Sequence, residues 1–385
     1  MKKIICIFGT RPEAIKMAPV LRELKKKDDL FKAVVVVTAQ HREMLDQVLR
    51  LFNLRSHYDL NIMQESQTPY HITTSALSRL EKVINIENPD FVLVQGDTTT
   101  TFAAALASFY QRVPVGHIEA GLRSYDRFNP YPEEVNRLLT DALCDLHFAP
   151  TPTAKRSLLK ENIKKESIFV TGNTVIDALY LALKKAHRFR NSVLKKIDFN
   201  KKRIILLTAH RRENWGTPLE NICLSIKKLI DKYDDLEIIF PVHLNPKIRN
   251  VVYKLLKKSP RIHLIKPLDY LDFVNLLNKC SLVLTDSGGL QEEAPALGKP
   301  VLLLREVTER PEAVKAGTVK VVGLSRNRIF EETCKLLNSK RIYERMATSV
   351  NPYGDGKTSA RIVEAILYYF EIVRRRPKDF TPLAS

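Results

Sequence analysis

Three carboxylates follow apolar segments in the first half of the chain, and together they could move protons. Asp97 lies in QGDTTTT, Glu119 in HIEAGLRS and Glu133 in NPYPEEVNR. Asp97 and Glu119 fall at the carboxyl ends of predicted strands, which meet at one edge of a parallel sheet. Capping of a helix would explain Asp97 alone, since a run of threonines follows it. Carboxylates that converge acquire different pKa values, so the group predicts a site where one acid accepts a proton and another donates one.

His210 and its two neighbouring arginines follow the apolar segment RIILLTA in the second half of the chain. A histidine among cations at a strand end could stabilise a departing phosphate or supply a proton. The alternative, a histidine buried in the core, fits poorly with the adjacent cations. We therefore expect His210 to face an anionic group.

A glycine turn, Asp286-Ser287-Gly288-Gly289, follows the predicted strand SLVLT and opens a helix that carries Glu293. Glycines without Cβ atoms let backbone N–H groups approach a diphosphate, and the serine adds a hydroxyl. Glu293, one turn into the helix, is placed to accept hydrogen bonds from ribose hydroxyls. An ordinary capped helix would explain the serine and one glycine, but not the whole group. The turn predicts binding of a nucleoside diphosphate.

The turn after the first predicted strand places Arg11 and Lys16 near a helix N-terminus, where an anion is favoured. It predicts contact with an anion or a sugar, and the alternative is a plain strand–helix turn with two surface cations. The spacing differs from GxGxxG, so no dinucleotide is implied. His, Asp and Glu residues match no compact metal-binding pattern, and no GxSxG or Cys–His pattern indicates covalent catalysis. We expect neither a metal nor another cofactor.

The elements that must position these residues alternate between strand and helix. Predicted strands span residues 3–8, 32–38, 90–95, 114–118, 145–149 and 167–170, and then 203–208, 236–241, 262–265, 281–285, 300–304 and 318–322. Helical patterns include 71–87, 134–144, 219–233, 246–258 and 358–374. Unbroken Val/Ile/Leu runs are typical of parallel strands buried on both faces. The sequence therefore predicts an α/β fold with two Rossmann-like, doubly wound parallel-sheet domains facing a cleft.

The length of 385 residues also favours two domains. We expect the N-terminal domain to span residues 1–173 and the nucleotide-binding C-terminal domain to span 174–364. The second domain begins with a helical segment that leads into the polar stretch RNSVLKKIDFNKKR, and this change in pattern predicts the boundary. A final helical segment, about 365–385, is expected to pack back onto the first domain.

The charge and the cysteines limit the partners and the compartment. The formal charge of +19 arises from 62 Lys and Arg against 43 Asp and Glu, a balance that suits nucleic acid, membrane surfaces or acidic substrates. The excess is scattered over helical clusters, which indicates solvated faces. No apolar stretch reaches the roughly 18 residues of a membrane span, and the N-terminal apolar run is shorter than that of a signal peptide. Five widely spaced cysteines indicate a reducing compartment. We expect a cytoplasmic protein that binds neither nucleic acid nor membrane.

Taken in order, the motifs resemble those of the non-hydrolysing UDP-N-acetylglucosamine (UDP-GlcNAc) 2-epimerases. They are GTRPEAIKMAP, AQHREML, QGDTTTT, GHIEAGLRS, PEE-x-NR, TGNTxID, TAHRREN-x-G, PVHLNP, TDSGGLQEEAP, LGKPVLLLR, TERPEAV and NPYGDG. The resemblance implies a fold of the glycosyltransferase-B (GT-B) type, a homodimer and cofactor-independent conversion to UDP-N-acetylmannosamine (UDP-ManNAc) for surface polysaccharides. It also implies elimination of UDP to 2-acetamidoglucal, followed by re-addition.

The resemblance further implies a role for each candidate residue. It assigns Asp97, Glu119 and Glu133 to the acid/base group, without deciding which is the base, and His210 to the diphosphate. The implied substrate contacts are Arg11, Lys16 and Arg137 on the sugar and phosphate side, Ser287, Gly288 and Gly289 around the diphosphate, Glu293 at the ribose, Phe273 at the uracil, and Arg310 as a further phosphate-side cation.

One departure from the family pattern concerns a second, activating UDP-GlcNAc site that many bacterial members carry. Gln40 and His243 are retained, but Glu43 and Ser66 stand where the family has a glutamine and an arginine. A carboxylate in place of an amide and the loss of a cation both disfavour a second diphosphate. We expect weakened or absent activation.

Four alternatives remain open at this stage. A GT-B glycosyltransferase would share the nucleotide site, but it would not need three acids facing one donor sugar. An epimerase for a related UDP-2-acetamido sugar would share nearly all the motifs. A hydrolysing epimerase usually carries a fused kinase, for which this chain has no room. A polyanion-binding protein would rest on the positive charge alone and would show steep salt dependence.

Overall fold

The computed structural model describes residues 1–39, 42–64 and 67–382. The chain divides into two compact units. Unit 1 comprises Met1–Leu181 and Tyr353–Thr381, and unit 2 comprises Ala182–Pro352. Each unit contains one parallel sheet with its own core.

Unit 1 is built on a seven-stranded sheet. Its strands are β1 (Lys2–Phe8), β2 (Phe31–Val37), β3 (Tyr58–Asp59), β4 (Phe91–Gln95), β5 (Val115–Ile118), β6 (Leu146–Ala149) and β7 (Ile168–Val170). Their order is β3-β2-β1-β4-β5-β6-β7, and every pair is parallel. The edge strand β3 was not predicted, because a strand of two residues carries no apolar run. The other six coincide closely with predicted strands.

Unit 2 repeats this plan with six strands. They are β8 (Arg203–Thr208), β9 (Leu236–Pro241), β10 (Ile262–Ile265), β11 (Leu282–Thr285), β12 (Val301–Leu303) and β13 (Val319–Val321). The order is β10-β9-β8-β11-β12-β13, again parallel throughout. The predicted fold class, two doubly wound parallel α/β domains, is confirmed.

Fifteen α-helices accompany the strands in the described part of the chain. They are α1 (Arg11–Lys25), α2 (Arg42–Phe52), α3 (Pro69–Glu87), α4 (Thr99–Tyr110), α5 (Glu133–Leu143), α6 (Pro152–Lys160), α7 (Thr174–Leu183), α8 (Thr217–Lys232), α9 (Pro246–Leu256), α10 (Tyr270–Lys279), α11 (Leu290–Ala296), α12 (Pro311–Lys315), α13 (Arg326–Asn338), α14 (Lys340–Ala347) and α15 (Thr358–Tyr369). Proline lies in the first turn of α1, α3, α6, α8, α9 and α12, where its missing N–H costs no helical hydrogen bond. Within the described residues, no helix combines the length and apolar character that a membrane span requires.

The unit boundaries differ from the predicted ones at 173/174 and 364/365. Helix α7 up to Leu181 and the segment from Tyr353 both belong to unit 1. The physical reason is a set of buried hydrogen bonds between them. Asp177 accepts from the backbone N–H groups of Ser359 at 2.8 Å and Thr358 at 3.2 Å, and the N–H of Asn173 donates to the carbonyl of Tyr353 at 2.6 Å. The final helix, α15, also ends at Tyr369, well before residue 385.

The strand orders fix where a ligand is expected in each unit. In unit 1 the order reverses between β1 and β4, and in unit 2 it reverses between β8 and β11. Chains that leave such neighbouring strands in opposite directions open a crevice at the carboxyl ends of the strands. Most of the predicted site residues follow these four strands and β5, while His243, Phe273 and Arg310 follow β9, β10 and β12.

Candidate active site

The turn after β1 is held by a buried carboxylate, Glu13. Its Oε2 accepts from the backbone N–H groups of Gly9 at 3.1 Å and Thr10 at 2.7 Å, and its Oε1 accepts from the hydroxyls of Thr98 at 2.7 Å and Thr101 at 3.0 Å. Burial raises the pKa of Glu13, against the opposing effect of these donors. Glu13 therefore ties the turn after β1 to the turn after β4. It was not predicted as a site residue, although the capping-box spacing from Thr10 to Glu13 was a signal for it.

Gly9 is required by the same close approach. A Cβ atom at Gly9 would lie 2.1 Å from Oγ1 of Thr38 and 2.7 Å from Oγ1 of Thr100. Arg11 is the first residue of α1 and is partly buried, and Lys16 follows on its second turn. The turn thus places both predicted cations, Arg11 and Lys16, near the carboxyl ends of the strands.

Glu119 directly follows β5, and its carboxylate contacts three side chains. Lys16 Nζ and Gln95 Nε2 both contact its Oε2, and Asn173 Nδ2 donates to its Oε1 at 3.1 Å. Its side chain is 7% exposed, and its φ of +73° lies in the left-handed region that a residue with a Cβ seldom adopts. A strained backbone at a converging set of polar groups is typical of functional sites. Gln95 and Asn173 were not predicted as part of this group.

Asp97 and Arg137 form an ion pair. Arg137 Nη2 lies 2.5 Å from Asp97 Oδ2, and Nη1 lies 3.1 Å from Oε2 of the buried Glu134. Asn136 Nδ2 also donates to the carbonyl of Asp97 at 3.1 Å. The amino-terminal half of α5 therefore holds Asp97 in place, and Arg137, predicted as a substrate contact, is paired with a carboxylate in this structure.

Glu133, the first residue of α5, is half-buried beside this ion pair. Burial raises the pKa of Glu133, and the nearby Asp97 charge raises it further, while Arg137 acts in the opposite direction. A raised pKa makes a carboxyl better suited to exchange protons than one with the ordinary value. The structure thus brings the predicted acids to one edge of unit 1 and gives them different environments.

In unit 2, Asp286 organises the segment after β8. Its Oδ2 accepts from the backbone N–H groups of His210 and Arg211, each at 2.8 Å, and from Asn214 Nδ2 at 3.0 Å. Its Oδ1 lies 3.1 Å from His210 Nδ1. Burial alone would raise the pKa of Asp286, but the His210 ring and the two amides together hold it below the ordinary value. Asp286 lies in a motif that the sequence singled out, yet its pairing with His210 was not predicted.

The glycine turn that follows Asp286 leaves open space. A Cβ atom at Gly289 would meet no described atom within 4 Å, and at Gly288 the nearest described atom would be Arg211 Nη2 at 3.7 Å. Neither glycine has a positive φ, so neither packing nor backbone conformation demands glycine here. Ser287 is fixed by its N–H, which donates to Thr285 Oγ1 at 2.9 Å. A surface without Cβ atoms suits the close approach of a ligand.

The remaining predicted residues of unit 2 lie on the next elements. Glu293, 9% exposed in α11, accepts a 3.4 Å hydrogen bond from the hydroxyl of Tyr270, and Phe273 is half-buried on α10. Arg310, immediately before α12, contacts Glu292 Oε1 through Nε. A cationic set surrounds Glu309, whose pKa burial would raise but the charges of Arg211, Arg305 and Arg310 lower.

Of the second-site residues, the structure places only His243. Its ring lies parallel to that of His210, with centroids 6.2 Å apart and an interplanar angle of 19°. Gln40 and Ser66 lie outside the described residues, as does the side chain of Glu43. No group of three or more His, Cys, Asp or Glu side chains in the described ranges is arranged to hold a metal ion.

Comparison with known proteins gives the family. The sequence model of the family described as UDP-N-acetylglucosamine 2-epimerase matches residues 22–367. The UDP-N-acetylglucosamine 2-epimerase of Bacillus subtilis is 51% identical over 379 residues, which cover 98% of this chain and 98% of that protein.

Two solved structures share the fold over nearly their whole length. The UDP-GlcNAc 2-epimerase of Neisseria meningitidis, bound to UDP-GlcNAc, matches with a TM-score of 0.86 and 52% identity and covers 95% of this chain and 99% of that one. The S. aureus protein MnaA in complex with UDP matches with a TM-score of 0.88 and 51% identity and covers 99% and 100%. Because sequence, fold and family match coincide over most of its length, the chain belongs to the UDP-N-acetylglucosamine 2-epimerase family.

Proposed function

We propose that this chain interconverts UDP-GlcNAc and UDP-ManNAc at carbon 2 of the sugar without a cofactor. The observation that carries the proposal is the set of three acids at the carboxyl edge of unit 1, where Glu133 has a raised pKa and Asp97 and Glu119 are each paired with a cation. The family and the relative from Neisseria bound to UDP-GlcNAc support the choice of substrate.

The chemistry proceeds by elimination and re-addition. Carbon 2 carries no adjacent carbonyl, so its proton is lost together with cleavage of the bond between carbon 1 and the β-phosphate oxygen. The products of this step are UDP and 2-acetamidoglucal. A proton then reaches carbon 2 from the opposite face, and the same oxygen re-forms the bond to carbon 1. No electrons leave or enter the sugar, so the scheme calls for no redox partner.

Glu133 is one of the two proton-transfer groups in this scheme. Its pKa is raised by burial and by the Asp97 charge, which favours a group that both takes and gives a proton. The second group comes from the pair Asp97 and Glu119. Lys16 and Arg137 hold these two carboxylates and supply positive charge on the sugar and phosphate side, together with Arg11.

Unit 2 binds the nucleotide in this proposal. Asp286 faces His210 Nδ1, which leaves Nε2 to meet the departing diphosphate oxygen. The open turn of Ser287, Gly288 and Gly289 approaches the diphosphate, with Arg310 as a further cation. Glu293 accepts from the ribose, and Phe273 contacts the uracil.

The protein is a cytoplasmic homodimer whose product feeds surface polysaccharide synthesis. The two aromatic side chains at the end of α4, Phe109 and Tyr110, are 56% and 65% exposed, and a second copy that covers them would remove this apolar surface from water. The five cysteines are unpaired, which supports a reducing compartment. Sedimentation should show a dimer that the double variant Phe109→Lys, Tyr110→Lys converts to monomer, and a monomeric wild type would contradict the dimer.

The direct test is proton NMR of the purified protein with UDP-GlcNAc in deuterated water, without added metal or nicotinamide. The proposal predicts UDP-ManNAc with deuterium at carbon 2. Free ManNAc with UDP would identify a hydrolysing enzyme instead. Unchanged UDP-GlcNAc would overturn the proposal and favour a related UDP-sugar or glycosyl transfer.

The variant Glu133→Gln tests the role of this acid in the same experiment. Loss of a proton-transfer group should lower kcat by about 10²–10⁴-fold. The affinity for UDP, measured by calorimetry, should stay unchanged because unit 2 holds the nucleotide. An equal loss of kcat and of the affinity for UDP would indicate a structural role for Glu133.

A further inference from the structure

A fully buried histidine joins two of the loops that carry the acids. His117 on β5 has 0% exposure. Its Nδ1 lies 2.6 Å from Asp141 Oδ1, and its Nε2 lies 2.6 Å from the carbonyl oxygen of Gly96. Gly96 immediately precedes Asp97, and His117 lies two residues before Glu119. Neither His117 nor Asp141 has a role in the proposed reaction so far.

The partners of His117 fix the orientation of its ring. A carbonyl oxygen only accepts hydrogen bonds, so Nε2 donates to the Gly96 carbonyl. Its Nδ1 faces Asp141 Oδ1. Burial would raise the pKa of Asp141, but its contact with His117 and the charge of Arg123 hold it at about 2.

Charged side chains surround the contact between His117 and Asp141. Arg123 Nη2 lies 2.6 Å from Asp141 Oδ2 and 2.5 Å from Glu161 Oε2. Arg123 thus joins two carboxylates beside His117. The other histidine nearby, His147, meets the backbone carbonyl of Asp141 at 2.8 Å, and burial lowers its pKa. Because Asp141 is paired with Arg123, its carboxylate can remain buried where a lone charge could not.

The cluster of His117, Arg123, Asp141 and Glu161 contacts each segment that carries an acid of the candidate site. Asp141 lies on α5, the helix that begins at Glu133 and pairs Arg137 with Asp97. Its Oδ2 also accepts from the N–H of Gly121, two residues after Glu119, at 3.2 Å. Through His117, it reaches the turn that ends at Asp97. A displacement of His117 would therefore move the acids relative to one another.

We propose that His117, held between Asp141 and the Gly96 carbonyl, is a positioning residue that fixes Asp97 relative to Glu119 and Glu133. The role rests on the proposed function, because it is exerted on the acids of that reaction. His117 itself, at 0% exposure, does not touch the substrate.

The structure offers a matched control on the neighbouring strand. His147 on β6 pairs with His117 in the sheet register and is 1% exposed, but its ring contacts the backbone carbonyl of Asp141 rather than a turn that carries an acid. His117→Gln should lower kcat by about 10²-fold, since a displacement of about 1 Å costs that much, with unchanged affinity for UDP. His147→Gln should leave kcat unchanged. Equal losses in the two variants, or full activity of His117→Gln, would overturn the proposal.

A second measurement does not depend on activity or on the folding of a variant. The wild-type protein labelled with ¹⁵N-histidine should show an N–H signal from Nε2 of the His117 ring, because this nitrogen donates to the Gly96 carbonyl, and its absence would overturn the proposal. A wild type that shows this signal but leaves UDP-GlcNAc unchanged would refute the proposed function and leave the contact between His117 and Gly96 standing. The two failures are therefore distinguishable.

Discussion

Asp286 Oδ1 lies 3.1 Å from His210 Nδ1, so a fully buried carboxylate faces one side of a half-exposed imidazole. The other carboxylate oxygen receives the backbone N–H of the same histidine at 2.8 Å. The Asp286 side chain thus orients both the main chain and the ring of His210. It lies just after β11, the strand that pairs with β8. Such a partner selects the tautomer with hydrogen on Nδ1 when the ring is neutral.

Asp286→Asn should therefore lower kcat by about 10²-fold, because an amide no longer selects the tautomer or stabilises a charged ring. The matched control is Glu237→Gln. Glu237 pairs with His263 at 2.7 Å, but at the amino end of β9, on the opposite edge of the unit 2 sheet. Initial rates with UDP-GlcNAc should fall only for Asp286→Asn, and an equal fall in both variants would indicate a general loss of stability.

Much of the fold follows from local patterns in the sequence. Twelve of the thirteen strands coincide with continuous apolar runs, since parallel strands buried on both faces need no polar alternation. The unit boundary at Leu181 was not predictable in this way. It depends on the contact of Asp177 with Ser359, which are 182 positions apart, and no local pattern reports such a pairing.

The candidate site likewise contains residues that the sequence predicts and partners that it does not predict. Residues that follow strands, such as Asp97, Glu119 and His210, were predictable because the carboxyl edge of a parallel sheet collects them. Their partners were not. Asp286 and Asp141 act across strands or between a helix and a strand, and strand order is set by the whole chain rather than by any one segment.

The two charges beside Glu133 predict opposite effects on its pKa. Burial and the Asp97 charge raise this pKa, while the Arg137 charge lowers it. Asp97→Asn should therefore move the titration midpoint of Glu133 to lower pH, and Arg137→Gln should move it to higher pH. Carbon-13 NMR of the side-chain carboxyl, assigned with Glu133→Gln, measures both. Shifts in the same direction would mean that the variants merely alter solvent access.

Asp141 should contribute to the acid dependence of stability in unit 1. Its pKa of about 2 lies below the ordinary value of about 3.9. The stabilisation of about 2–3 kcal/mol is therefore fully present above pH ~4 and is lost as the pH falls through 2. Asp141→Asn should cost about 3–5 kcal/mol at neutral pH, since the buried Arg123 loses a carboxylate partner. Hydrogen exchange of the β5 segment in the variant should show this loss shrinking toward pH 2.

The exposed pair of Asp235 with Arg203 provides the contrast for that experiment. Arg203 and Asp235 are 2.6 Å apart, as close as Arg123 and Asp141, but the Asp235 side chain is 51% exposed. Asp235→Asn should change stability by less than about 1 kcal/mol, because water screens the pair. A large effect of this variant, or none of Asp141→Asn, would contradict the importance of burial.

The second-site positions predict how the enzyme responds to its own substrate. The family resemblance implies a second diphosphate site at positions 43 and 66, where this chain has a negative charge at Glu43 and no positive charge at Ser66. The wild type should therefore turn over UDP-ManNAc alone without a lag. The double variant Glu43→Gln, Ser66→Arg should restore dependence on a trace of UDP-GlcNAc, measured as a lag that the trace abolishes. His243 is unchanged in both proteins, and its ring lies parallel to that of His210, with the centroids 6.2 Å apart. Wild-type enzyme that is silent with UDP-ManNAc until UDP-GlcNAc is added would refute this reading of the two positions.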